Sequence, residues 1–158
     1  MDRTEYTAIK RQQFIKNEYR SILLCIDSYE NKNLMGRLYH PYIKGVRGFS
    51  NVMQLLLIAE GLFDIMDFPQ PFETIRRFWK HPMTNEFECQ TENESEIMTP
   101  PPGKLANFQL RVVFRQNASW QGSLAWLDQN KEESFRSVLE LLMLLNEALS
   151  CEPIDKNQ

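Results

Sequence analysis

Residues of the types that carry nucleophilic attack or proton transfer are scattered along this 158-residue chain, carboxylates above all, but no spacing joins them into a motif. His40 and His81 are its two histidines. A catalytic triad needs a Ser or Cys nucleophile and an acid meeting one of them in space; nothing local suggests it, and both read as solvated loop residues. Cys25, Cys89 and Cys151 are odd in number and too far apart for a disulfide framework or the close pairs of a zinc site. They read as reduced structural thiols. None of the six glycines falls in a phosphate-cradling pattern. No catalytic residue, metal or cofactor is therefore expected, and the sequence points away from an enzyme.

Residues suited to binding are more informative. Phe108, Leu110, Val112 and Phe114 alternate with Gln109, Arg111, Val113 and Arg115, the period of a strand with its apolar side toward a core. Arg111 and Arg115 are then expected on the opposite sheet face, with Arg37 and Tyr39 similarly placed on an earlier strand. Arginine beside aromatics on a sheet can stack bases or grip an acidic peptide, or it can pair with carboxylates and cover apolar surface with its stem. Arg136 precedes a helix start, where it could stand near a bound anion or serve as an exposed residue of the capping region.

The elements that must position these side chains recur. Placing Gly36 over Gly122, an offset of 86 residues (122 − 36), also aligns Leu38 with Leu124, Phe49 with Phe135, Val52 with Val138 and Leu55 with Leu141. No gap is needed. The same offset sets Asn51 over Ser137 and Gln54 over Glu140, residue types that cap a helix start reciprocally. Helices are predicted near Asn51–Met66 and Ser137–Leu149. Each is apolar around more than one stripe, so each needs cover beyond its own hairpin.

A hairpin precedes each predicted helix. Ile22, Leu24 and Ile26 alternate on one strand, Glu30-Asn31-Lys32-Asn33 turns, and Leu34 to Tyr39 returns; in the second copy Gln116-Asn117-Ala118-Ser119 makes the turn toward Trp120, Leu124 and Trp126. Glu5 to Lys16 reads as a helix. Phe68-Pro69-Gln70-Pro71 stops the first repeat helix, and Glu73 to Trp79 is expected to form a short helix packed through Phe72, Ile75, Phe78 and Trp79. Thr84 to Gly103, with glutamates at 86, 88, 92, 94 and 96 and a proline-rich end, reads as a solvated linker.

The strings Asn117-Ala118-Ser119-Trp120-Gln121-Gly122 and Phe135-Arg136-Ser137-Val138-Leu139-Glu140-Leu141-Leu142 resemble a pattern in small uncharacterised proteins of gut Firmicutes. Phe68-Pro69-Gln70 with Arg77-Phe78 is similar too. The resemblance covers about two thirds of the chain, implies no activity, and implies a bacterial, intracellular origin.

Composition is that of an ordinary globular chain, 42% hydrophobic and 25% charged. A net charge of −3 and scattered Lys and Arg leave no footprint for nucleic acid or an anionic membrane. The start Met1-Asp2-Arg3-Thr4-Glu5 has no apolar signal run, so a cytoplasmic location is expected. Together these readings predict an α+β fold of tandem duplicated ββα modules, antiparallel sheet or sheets with packed helices, related by a pseudo-twofold. Residues 1–80 hold the first module with an N-terminal segment and the short trailing helix, 81–107 the acidic linker and 108–158 the second module. The expected function is that of a non-enzymatic intracellular binding or adaptor protein, with a protein partner or self-association. The alternatives are a single-strand nucleic-acid binder using the arginine-bearing sheet face and an enzyme with a site between the modules.

Overall fold

A computed structural model describes residues 17–79 and 100–151. The expectations for Glu5 to Lys16, His81, Cys89 and the acidic part of the linker lie outside the described residues. A short 3-10 turn, Asn17–Arg20, leads into β1 (Ile22–Glu30), β2 (Asn33–Tyr39), β3 (Val46–Phe49) and helix α1 (Val52–Met66). The second half contains β4 (Ala106–Phe114), β5 (Gln121–Trp126), a 3-10 turn (Leu127–Gln129), β6 (Lys131–Phe135) and helix α2 (Val138–Ser150). All six strands form one antiparallel sheet in the order β3-β2-β1-β4-β5-β6. The fold is α+β: α1 packs on β2 and β3, α2 on β5 and β6.

Alternating apolar residues send one face of the sheet to the helices. Leu38, Leu24, Phe108 and Trp126 run across four strands as one row, and Ile22, Leu110 and Leu124 form the next. With Leu55, Leu62, Leu141 and Leu145 from the helices they make a single buried cluster. Phe49 and Phe135 are buried at the ends of β3 and β6, opposite Gly36 and Gly122. The glycines are required there. A Cβ on Gly36 would strike the carbonyl oxygen of Cys25 and crowd the Phe49 ring, and one on Gly122 would strike the carbonyl of Arg111.

Local geometry repeats at several positions 86 residues apart. Both β1–β2 and β4–β5 turn through two left-handed residues, Asn31-Lys32 and Asn117-Ala118, the conformation that matches the twist of paired strands. Register shifts interrupt β1 between Ile26 and Ser28 and β4 between Val112 and Phe114. Asn51 and Ser137 cap their helices by accepting from the amides of Gln54 and Glu140. The Gln54 and Glu140 side chains reach back to the amides of Ser50 and Arg136, one residue before the expected cap amide. At the central pairing, Leu23 lies opposite Gln109, with Ile22 opposite Leu110 and Leu24 opposite Phe108.

Two expectations are corrected. Each helix follows three strands, not two; β3 and β6 are short edge strands whose Arg47, Gly48 and Lys131-Glu132-Glu133 lack apolar alternation, a common character of strands that meet solvent. No helix forms over Glu73 to Trp79. Pro71 pairs with Arg115, the Phe72 amide donates to the Arg115 carbonyl, and the Glu73 carboxylate accepts from the Asn117 and Ala118 amides. Those bonds fix the start of the segment outside a helix, and a helix of two turns has little stability of its own to resist them. After the prolines the chain is tied to the sheet while Lys104 and Leu105 stay exposed: the Gly103, Lys104 and Leu105 amides donate to Asn107 Oδ1, Asp27 Oδ1 and the Ile26 carbonyl.

Candidate functional site

The register shift at Val112 to Phe114 decides where the arginines lie. An extra residue in a strand reverses the inside–outside alternation beyond it. Phe114, expected in the core, is half exposed, and Arg115, expected on the open face, is only 3% exposed beneath α1. Its Nη1 donates to Glu60 Oε1 at 2.8 Å and Asp64 Oδ1 at 2.7 Å, and its Nε to the Pro69 carbonyl at 2.6 Å. The guanidinium stands 5.7 Å from the Phe63 ring centre. Glu60 spends its other oxygen on Trp120 Nε1 at 2.6 Å, and Trp120 meets Phe63 edge to face. This is a structural tie between the second hairpin and the first helix.

A counterpart tie runs the other way. After the shift in β1, Tyr29 also turns to the helix side, and its hydroxyl donates to Asn146 Oδ1 on α2 at 2.7 Å. Lys32 Nζ donates to Asn146 and Ser150. Tyr29 and Arg115 are 86 apart, and so are Glu60 and Asn146, Asp64 and Ser150. Each helix is thus bonded to the hairpin turn of the other half. Sequence reasoning missed Glu60 and Asp64, although their i, i+4 spacing on an otherwise apolar helix was a visible signal.

The remaining predicted binding residues are separated from Arg115. Arg37 and Arg111 do lie on the face opposite the helices. Arg37 is held by Asp27, with Nε to Oδ2 at 3.2 Å, and by the Pro102 carbonyl. Burial opposes the charge of Asp27, yet Arg37 and the Lys104 amide hold its carboxyl below the ordinary carboxylate range. Arg111 is exposed beside Ser123 of β5, and Tyr39 is partly buried opposite Val46. Arg136 lies at the start of α2, exposed, in an i, i+4 pair with Glu140 at 2.7 Å. Arg37, Tyr39 and Arg111 therefore share a face; Arg115 and Arg136 do not belong to it.

His40 is not the solvated loop residue expected. It is fully buried, with Nε2 2.9 Å from the Tyr19 carbonyl and Nδ1 accepting from the Tyr42 amide at 3.0 Å. The acceptor at Nδ1 assigns the proton to Nε2, so the ring bonds as the neutral tautomer. Burial lowers its pKa from 6.5 to about 4, with the Tyr19 carbonyl acting in the opposite direction. Cys25 is buried and free, its thiol pushed up by burial; Cys151 is exposed and free. Among the described residues no group of three His, Cys, Asp or Glu could hold a metal ion. No helix among them is long and apolar enough to cross a membrane.

Surfaces with no polar assignment are the outer faces of the helices. Met53 and Leu57 of α1 and Leu139 and Met143 of α2 are all exposed. Met53 and Leu139 are 86 apart, as are Leu57 and Met143. Comparison of the chain with protein families, with curated proteins and with solved structures finds no match.

Proposed function

We propose that this chain is a non-enzymatic binding or adaptor protein that works through protein contacts on the outer faces of its two helices. The observation that carries this reading is the repeated exposed pair, Met53 with Leu57 and Leu139 with Met143. Single exposed apolar residues are ordinary, but apolar surface repeated at matching positions is the kind that partners cover. We further propose that the chain is an internal duplication of βββα units about a pseudo-twofold passing near Leu23 and Gln109, so that it offers its contact surface twice. Supporting that are the matching turns, register shifts, caps and crossed ties at an offset of 86, and the property of symmetric contacts that a fused pair retains them.

Photo-crosslinking residues placed at Leu57 and at Met143, with Gln109 of the open sheet face as the comparison site, test the first reading. Expected are discrete protein adducts from both helix positions. Adducts from Gln109 alone would remove the helix faces from consideration. Co-expression of the two halves as separate chains tests the second: a stable one-to-one complex is expected, and halves that never associate would count against duplication. The arginine face as a nucleic-acid surface is left with Arg111 and the Asp27-paired Arg37 once Arg115 is withdrawn into the core.

A further inference from the structure

From Pro71 to Trp79 every residue is exposed, although the run contains Phe72, Ile75, Phe78 and Trp79. Its first residues are pinned to the β4–β5 hairpin through the Phe72 amide and the Glu73 carboxylate. The segment does not cover the helices of its own chain. Arg76 and Arg77 within it have no hydrogen-bonded or ionic partner among the described residues. The outer face of α2 has the complementary character: Leu139 and Met143, 63% and 58% exposed, continue at the same spacing to exposed Glu147, and the helix contains no Lys or Arg. On α1 the position matching Glu147 is Gly61, and the helix's own acids, Glu60 and Asp64, are already bonded to Arg115, whereas the Glu147 carboxylate has no partner among the described residues.

We infer that the segment Phe72–Trp79 of one copy docks on the Leu139–Met143–Glu147 face of α2 in a second copy, with the aromatic residues on the apolar pair and Arg76 or Arg77 against Glu147, to form a reciprocal dimer. This rests on the reading of the helix faces as contact surfaces and names the occupant of one of them. Aromatic anchors in an apolar seat with a charge at the rim are the usual anatomy of a specific contact. An anionic membrane fits less well, because the chain as a whole carries −3 and the two arginines of the segment are accompanied by Glu73.

Analytical ultracentrifugation of the full chain across the micromolar range tests it. A reversible monomer–dimer equilibrium is expected for the wild type. Phe78→Ser with Trp79→Ser, or Met143→Lys alone, raises the dimer Kd by at least about tenfold, with an unchanged circular dichroism spectrum because every altered side chain is exposed. Mixing the segment variant with the Met143→Lys variant leaves one intact contact of the two and yields a heterodimer stronger than either homodimer. Glu147→Arg weakens association, and adding Arg76→Glu with Arg77→Glu restores it. A chain that stays monomeric throughout, or a dimer indifferent to the segment variants, overturns the inference. Phosphatidylserine vesicles that bind the monomer and release the segment variant would overturn it also, assigning the segment to a lipid surface. Discrete adducts from Leu57 with a monomeric chain would leave the broader binding reading standing while this inference falls.

Discussion

Replacing Arg115 by Met keeps most of the buried stem and removes the charge, which isolates the polar tie between β4 and α1. The arginine is 3% exposed, whereas its partners Glu60 and Asp64 are 24% and 45% exposed. Its bond to Glu60 is charge-assisted and largely shielded, worth about 2 kcal/mol. The bond to the half-exposed Asp64 is weakened by solvent to at most about 1 kcal/mol, and the bond to the Pro69 carbonyl contributes about 1 kcal/mol. Arg115→Met should therefore cost about 3–4 kcal/mol, within the range for breaking one side of a buried ion pair. Urea denaturation measures it, with an unchanged m-value as the check that the unfolded state is the same. Glu60→Gln keeps an acceptor for Trp120, so the double variant Arg115→Met with Glu60→Gln should lose less than the sum of the singles, by about 2 kcal/mol of coupling. A single-variant loss below about 1 kcal/mol is a surface value and would show that the tie contributes nothing to holding the halves together.

Phe49→Ala and Phe135→Ala should each cost about 3–5 kcal/mol, as full truncation of a buried ring does, and chemical denaturation should return comparable losses because the two rings are buried to the same extent. Gly122→Ala should destabilise by at least about 1–3 kcal/mol, since its Cβ would meet the rigid Arg111 carbonyl; the melting temperature reads it. His40, neutral in the fold to about pH 4, is protonated near 6.5 when unfolded. The unfolded chain binds the extra proton between those values, so the contribution of His40 is complete above about pH 6.5 and declines as pH falls toward 4, by about 3 kcal/mol in all. Denaturation of His40→Gln alongside wild type should show a flatter profile across that window.

Features legible in the sequence were those decided within a few residues. Asn51 and Ser137 cap because a short polar side chain can reach an amide three residues on, and Gln54 and Glu140 reach back wherever the helix starts. Asn31 and Asn117 turn because they tolerate the left-handed region. The alternation of Ile22, Leu24 and Ile26, and of Phe108, Leu110 and Val112, placed one sheet face inside before any pairing was known. The position of each helix followed from the apolar run and its cap, to within a residue or two.

What only the tertiary structure decided depends on neighbours distant in sequence. Arg115 lies under α1 because the register shift inverts the strand, and nothing in Val112-Val113-Phe114 announces an extra residue; it is set by pairing with Gln121 and by carboxylates 51 and 55 residues away. His40 is neutral because the fold buries it completely, with Nδ1 accepting from the Tyr42 amide and Nε2 against the carbonyl of Tyr19, 21 residues away. Glu73 to Trp79 forms no helix because the amides of another hairpin capture the Glu73 carboxylate, overriding a local preference too weak to nucleate one. The same reason covers the exposed pairs on α1 and α2: the sequence determined that these helices have more apolar surface than a sheet can bury, and only the packing of both against one sheet selected Met53, Leu57, Leu139 and Met143 as the residues left facing outward.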